Sequence, residues 1–160
     1  MKEYLNQVKY YITDTLISFS EEEQLLIKET IAKAKNAYAP YSKFNVSAGV
    51  LFNKKEIITA TNIENASYPI GTCAERNVLS YFLSNYPQAK INTIAVYAEN
   101  QSGKLKQPIT PCGMCRQALL EAENIQSTNI KVIMIGNTSN FLVVNKCAHL
   151  LPFAFDDSVL

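Results

Sequence analysis

The sequence predicts an α/β layered domain built on one mixed sheet of about five strands. Two observations carry that expectation. Strand-like segments (FNVSAGVLF, EIITATNI, NTIAVYA, KVIMIG and FLVVN) are interleaved with segments whose apolar residues recur at helical spacing. The first two strand segments are separated only by the polar stretch NKK, which makes them a hairpin, whereas the later ones alternate with helices. A hairpin followed by such alternation gives antiparallel and parallel neighbours in one sheet.

Taken in order, Leu5, Val8, Ile12, Leu16 and Phe19 recur at helical spacing, so residues 4–18 are expected as a short amphipathic helix. Ser20 with Glu23 forms a capping-box pattern that opens a stronger helix, running to about Tyr38 and ended by Pro40. After the hairpin, NASYPIG reads as a loop. CAERNVLSYFL is helical, with Val78, Leu79 and Phe82 on one face. The strand NTIAVYA leads into the polar loop ENQSGKLKQPIT, and CGMCRQALLEAE is the next helix. Two last strands flank the turn NTSN, and KCAHLLP forms a short final helix. No repeat, low-complexity tract or linker interrupts the chain. The expected organisation is one domain over residues 20–160, with residues 1–19 as a helical N-terminal appendage.

Composition narrows the class of function. The chain has 160 residues, is 48% hydrophobic and carries only five Gly and six Pro, which suits one packed core. Its net charge is +1 with no basic block, which argues against polymeric nucleic acid as a partner. The opening MKEYLNQVKYYITDTLISF has no uninterrupted apolar core and contains Asp14, unlike a secretory signal. No apolar run approaches the roughly 18 residues of a membrane span. A cytoplasmic protein is expected, and there four cysteines serve as metal ligands or reactive thiols sooner than as disulfides.

The cysteines hold the chemistry. Cys112 and Cys115 lie at the start of a predicted helix, where Thr110 can cap and Pro111 suits the first helical position. Cys73 lies at another helix start, two residues before Glu75. The positive end of a helix dipole favours thiolate, the form that binds metal. If the two helices begin side by side, three thiolates can hold one zinc and leave its fourth position open for water, the mark of a catalytic site. Other readings stand beside this one. A Cys-x-x-Cys pair also serves redox chemistry. Thr72 and Glu75 alone satisfy a capping box, which would make Glu75 a cap. Cys147 or His149 could close a structural zinc site as a fourth ligand, although both sit in the apolar stretch KCAHLLPF, where packing explains them.

The pairing of CAE with PCGMC matches the three-cysteine form of the zinc nucleobase deaminase signature. Together with AYAPYSKF, NIENASYPIGTCAER, PCGMCRQ and LLPFAF, it resembles the small cytidine deaminases that act on free nucleosides, from about Ser20 to Leu160. The resemblance implies a three-layer domain with one zinc per subunit held by Cys73, Cys112 and Cys115. It implies Glu75 as proton shuttle and Asn62 and Glu64 on the ribose hydroxyls. Phe44 would lie beside the pyrimidine, the Ala74 backbone would orient the base, and Arg76 would hydrogen-bond the thiolates. The family assembles as homotetramers, and Tyr68 and Phe155 match positions that approach a neighbouring pocket. The implied reaction is hydrolysis of cytidine and deoxycytidine to uridine and deoxyuridine plus ammonia, in pyrimidine salvage. Two alternatives stand: a deaminase of the antibiotic blasticidin S, disfavoured by NIEN and Gln117, and a non-catalytic zinc-stabilised binding module. The chain departs from the family at Ser47, where glycine is common, and in FDDSVL, which replaces a Gly-Pro stretch.

Overall fold

The protein is described from a computed structural model covering residues 1–100, 103–105, 107–136 and 140–156. Its strands are β1 (Tyr11–Thr13), β2 (Phe44–Phe52), β3 (Glu56–Thr61), β4 (Ile91–Asn100), β5 (Gly103–Lys104), β6 (Lys131–Ile135) and β7 (Phe141–Val144). Its α-helices are α1 (Glu21–Lys33), α2 (Ala74–Asn85) and α3 (Gly113–Gln126). The sheet runs β1-β7-β6-β4-β2-β3, with the short β5 paired to β4. It is mixed, as expected: β4 and β6 are parallel, and the other described pairs are antiparallel. The parallel pair is joined through α3, as a crossover requires.

Alternation along each strand sorts the core into two layers. Ala48, Val50, Ile94, Val96, Val132 and Met134 face α2 and α3. Leu51, Ala95, Tyr97, Ile133 and Ile135 face α1. Helices on both faces leave the central strands fully buried, and β2, β4 and β6 accordingly read as near-continuous apolar runs.

The N-terminal expectation is corrected. Residues 4–18 form no α-helix. Instead β1 pairs antiparallel with β7, Tyr11 opposite Val143 and Thr13 opposite Phe141, and Leu16–Ser18 is a single 3-10 turn. The run YYIT is aromatic and β-branched, which suits a sheet edge, and Leu5, Val8 and Ile12 find no apolar surface and stay exposed. Of the apolar positions counted there, Phe19 alone is buried, edge-on to Phe141 with ring centroids 5.0 Å apart. The expected helix to Tyr38 also stops early: α1 ends at Lys33 and tightens into a 3-10 turn, Ala34–Asn36. The last short helix is likewise a 3-10 turn, Cys147–Leu150. Within the expected polar loop, Gly103–Lys104 pairs with β4. Most of the expected turn NTSN and the end of the tail FDDSVL lie outside the described residues.

The capping box at α1 forms as read. Glu23 N donates to Ser20 Oγ, and Ser20 N donates to a Glu23 carboxylate oxygen, each at 3.3 Å. The same carboxylate pairs with Lys131 Nζ at 2.9 Å and accepts from Thr93 Oγ1 at 3.1 Å, so one side chain starts the helix and ties it to β4 and β6. Further along, α1 lies close on β2. Ser47, the departure from the family's glycine, donates its hydroxyl to the Thr30 carbonyl at 2.6 Å and is satisfied there. At Gly49 a Cβ would run into Thr30 Oγ1 and come within 2.9 Å of Leu26 Cδ1. Both neighbours are fully buried and Thr30 is β-branched, so neither yields readily. Gly49→Ala is expected to lower stability by about 1–3 kcal/mol through overpacking. A thermal or urea midpoint equal to the unsubstituted protein's would contradict this close approach.

Candidate active site

The site forms where α2 and α3 begin. Cys73 is the N-cap of α2, Cys112 is the N-cap of α3, and Cys115 lies in the first turn of α3. Neither helix has a side-chain cap, so the expectations for Thr72 and Thr110 are corrected. Thr72 is held in a bridge with Ile63, each N–H donating to the other's carbonyl at 3.0 and 2.9 Å, and its hydroxyl turns to the Ile70 carbonyl. The first residue free to start α2 is therefore Cys73. Thr110 accepts from Arg116 instead of capping, and Pro111 lies ahead of the helix. With no cap on α2, Glu75 is not part of a capping box. The first-turn N–H groups of both helices have no intrahelical acceptor, and the partly positive helix starts lie where the cysteines sit.

The Sγ atoms of Cys73, Cys112 and Cys115 all lie within 4.8 Å of one another, with Cys112 and Cys115 at 3.4 Å. Three sulfurs bonded to one zinc at about 2.3 Å would sit roughly 3.8 Å apart, so small movements close this set around an ion. Their proton affinities suit the same purpose. A hydrogen bond from the Cys115 thiol is the main influence that brings Cys73 down to about 6; Cys112 and the Arg76 charge assist, while burial and Glu75 oppose. Cys115 is pushed up, first by that bond to Cys73 and then by burial. One thiolate forms readily and further negative charge is resisted. A divalent cation in place of the shared protons relieves that resistance, so the donor set fits zinc.

Among the described residues, no fourth Cys, His, Asp or Glu joins the cluster. Cys147 is buried against the Ile130 carbonyl at 3.8 Å, with its thiol held up by burial and then by Glu123. His149 Nδ1 lies 3.1 Å from the Lys9 carbonyl. Both are engaged elsewhere, and a zinc held by the three thiols alone would have a fourth position for water.

Glu75 is 4% exposed, and burial raises its carboxyl above the ordinary range. It lines a cleft of about 480 Å³ together with Cys73 and Cys112. Phe44, Asn62, Glu64 and Tyr68 line the same cleft, so four of the residues singled out for substrate meet the thiol cluster in one place. Asn62 is anchored through both ends of its amide: Oδ1 accepts from Val46 N at 2.8 Å and Nδ2 donates to the Phe44 carbonyl at 2.9 Å. One N–H and one lone pair remain on that amide. A single Glu64 carboxylate oxygen accepts from Tyr41 N at 2.8 Å and Ser42 N at 3.3 Å. The Ser42 hydroxyl is the main cause that lowers the Glu64 carboxyl. Ala74 is fully buried at the first position of α2. The half-buried Arg76 acts on Cys73 through its charge.

Phe155 does not reach the cleft of its own chain. It is 64% exposed, and its carbonyl accepts from Gln117 Nε2 at 2.8 Å. Tyr68 stands 75% exposed at the mouth, edge-on to Tyr41 at 5.9 Å. Sequence reasoning missed the opposite wall. Val96, Ile109 and Thr110 line the cleft, the last two from a polar stretch in which Thr110 was read only as a helix cap.

The family model for the cytidine and deoxycytidylate deaminase zinc-binding region matches residues 20–132. Cytidine deaminase of Halalkalibacterium halodurans is 36% identical over 134 residues, which cover 84% of this chain and 94% of that protein. Cytidine deaminase of Mycoplasma genitalium is 36% identical over 118 residues, covering 72% and 82% of the two chains. The crystal structure of cytidine deaminase from Burkholderia pseudomallei superimposes with a TM-score of 0.68 at 34% identity, over 82% of this chain and 97% of that one. That from Mycobacterium tuberculosis gives 0.62 at 26% identity, over 86% and 99%.

Metal analysis separates the ligands from the bystanders. After exhaustive dialysis, Cys112→Ala is expected to lose its zinc, while Cys147→Ala and His149→Ala each keep the stoichiometry of the unsubstituted protein. Zinc loss in either of the latter two would mean a four-ligand site.

Proposed function

We propose, from the premise that this chain belongs to the family of zinc-binding cytidine and deoxycytidylate deaminases, that it hydrolyses free cytidine and deoxycytidine to uridine and deoxyuridine plus ammonia. The observation that carries this reading is the placement of Glu75 and three clustered thiols in one cleft with Phe44, Asn62 and Glu64. Cys73, Cys112 and Cys115 would hold one zinc per chain. Bound there, zinc supplies a Lewis acid that lowers the pKa of water from 15.7 toward about 7.

The chain's own groups do the rest. Glu75 accepts a proton from the attacking water and delivers it to N3 of cytosine while the oxygen adds to C4. It then carries the second proton to the amino group, which leaves as ammonia. Burial favours the protonated form of this carboxyl, as a group that both takes and gives a proton needs. The Ala74 backbone, buried at the helix start, orients the base, and Phe44 packs beside the ring. The remaining N–H and lone pair of Asn62 and the carboxylate of Glu64 take the ribose hydroxyls. Arg76 offsets the negative charge that three thiolates accumulate.

Several finer points belong to the same reading. Residues 20–160 form the deaminase domain, and residues 1–19 add an edge strand to its sheet. The active form is a homotetramer in which Tyr68 and Phe155 serve a neighbour's cleft; their exposure, and a lining of the chain's own cleft that does not include Phe155, support this. Four free thiols suit the reducing cytoplasm and a role in pyrimidine salvage. No helix among the described residues is long and apolar enough to cross a membrane.

Two measurements test the reading. Mixing the zinc-loaded protein with cytidine is expected to give the absorbance change of conversion to uridine, with Glu75→Gln keeping its zinc and losing the conversion. Glu75→Gln with full turnover would remove the shuttle from the mechanism. The cleft carries Glu64 and no Lys or Arg among its described lining residues. Cytidine monophosphate is therefore expected to be used about tenfold or more less efficiently than cytidine, because its phosphate meets a carboxylate. Equal kcat/KM for the two would contradict that placement of Glu64.

A further inference from the structure

Arg116 follows the ligand Cys115 directly, yet its guanidinium turns away from the sulfurs. Nε donates to the Pro111 carbonyl at 2.8 Å, one terminal nitrogen to Thr110 Oγ1 at 3.1 Å, and the other to the Leu150 carbonyl at 3.2 Å. The first two acceptors belong to the stretch that enters α3. Thr110 lines the cleft, and the Pro111 carbonyl belongs to the peptide bond leading into Cys112. The third acceptor belongs to the 3-10 turn Cys147–Leu150. That turn is itself held by Glu123 of α3, which accepts from Cys147 N at 2.7 Å and Ala148 N at 3.1 Å. No side-chain cap fixes the start of α3, so the fork of Arg116 supplies the restraint that a cap ordinarily gives.

We propose that Arg116 is a positioning residue: it fixes the peptide carrying Cys112 and the Thr110 wall of the cleft against the rigid turn Cys147–Leu150. This rests on the deaminase reading above. The role depends on geometry more than on charge. Three acceptors in separate directions are matched by a planar guanidinium, and an ammonium on a flexible stem cannot hold all three in fixed directions.

The test uses the full chain loaded with cobalt(II), whose thiolate absorption reports sulfur geometry without any substrate, and in parallel the zinc form assayed with cytidine. Arg116→Gln is expected to shift the cobalt–thiolate bands, to release metal faster to a chelator, and to lose about 10- to 100-fold in kcat/KM, the range typical of groups that orient metal ligands. Arg116→Lys keeps the charge and is expected to behave like the Gln variant. Thr110→Val, which removes one acceptor and touches no ligand, should raise KM with kcat little changed. Bands, metal release and kcat/KM unchanged in Arg116→Gln, or full restoration by Lys, would overturn the proposal. If Arg116→Gln does not fold, the Lys and Thr110→Val variants decide it: wild-type spectra and KM in both overturn it. If the unsubstituted protein fails to convert cytidine, the deaminase reading falls, while the cobalt bands still decide the role of Arg116.

Discussion

The site depends on one constraint: α2 and α3 begin next to each other on the same face of the sheet. A thiol cluster needs three sulfurs within bonding reach of one point, and the chain draws them from two distant segments. Each helix start supplies partly positive N–H groups, so negative sulfur is less costly there than elsewhere in the core. The arrangement is held from behind, where Val78, Leu79 and Phe82 of α2 and Leu119 and Ala122 of α3 pack on the same apolar layer.

Three acidic side chains near the core show how differently one chemical group is used. Glu23 is compensated by Lys131 and a helix start. Glu123 is compensated by three backbone N–H groups, from Ile130, Cys147 and Ala148. Glu75 has no ion pair among the described residues, and burial pushes its proton affinity up. The first two fasten elements together. The third is left energetically uncomfortable, which is the condition under which a carboxyl exchanges protons readily.

Much of this was legible from residue order. The Ser20–Glu23 cap, the hairpin and the strand alternation rest on local patterns that tertiary structure reinforced, and the meeting of Cys73 with Cys112 and Cys115 was legible through the paired CAE and PCGMC motifs. The failures have definite causes. Helical spacing over residues 4–18 was outweighed by an open edge of β7 and an aromatic, β-branched run able to pair with it. Thr72 and Thr110 have the right chemistry for caps, but a bridge to Ile63 and the reach of Arg116 had engaged them first. The anchoring of Asn62 on β2 and the wall at Ile109 arise from contacts remote in sequence, which no local pattern encodes. Phe155 lies apart from the cleft, its carbonyl held by Gln117.

The pairing of β1 with β7 has a consequence for how the chain is made. Tyr11–Thr13 leaves the ribosome long before its partner Phe141–Val144. Until β7 is made, Tyr11–Thr13 is without the strand it will join. The sheet can form from β2 through β7 before this edge is closed. Contacts of such wide sequence separation form late and slowly, so the nascent chain carries an aromatic and β-branched strand-former open to other chains until β7 arrives.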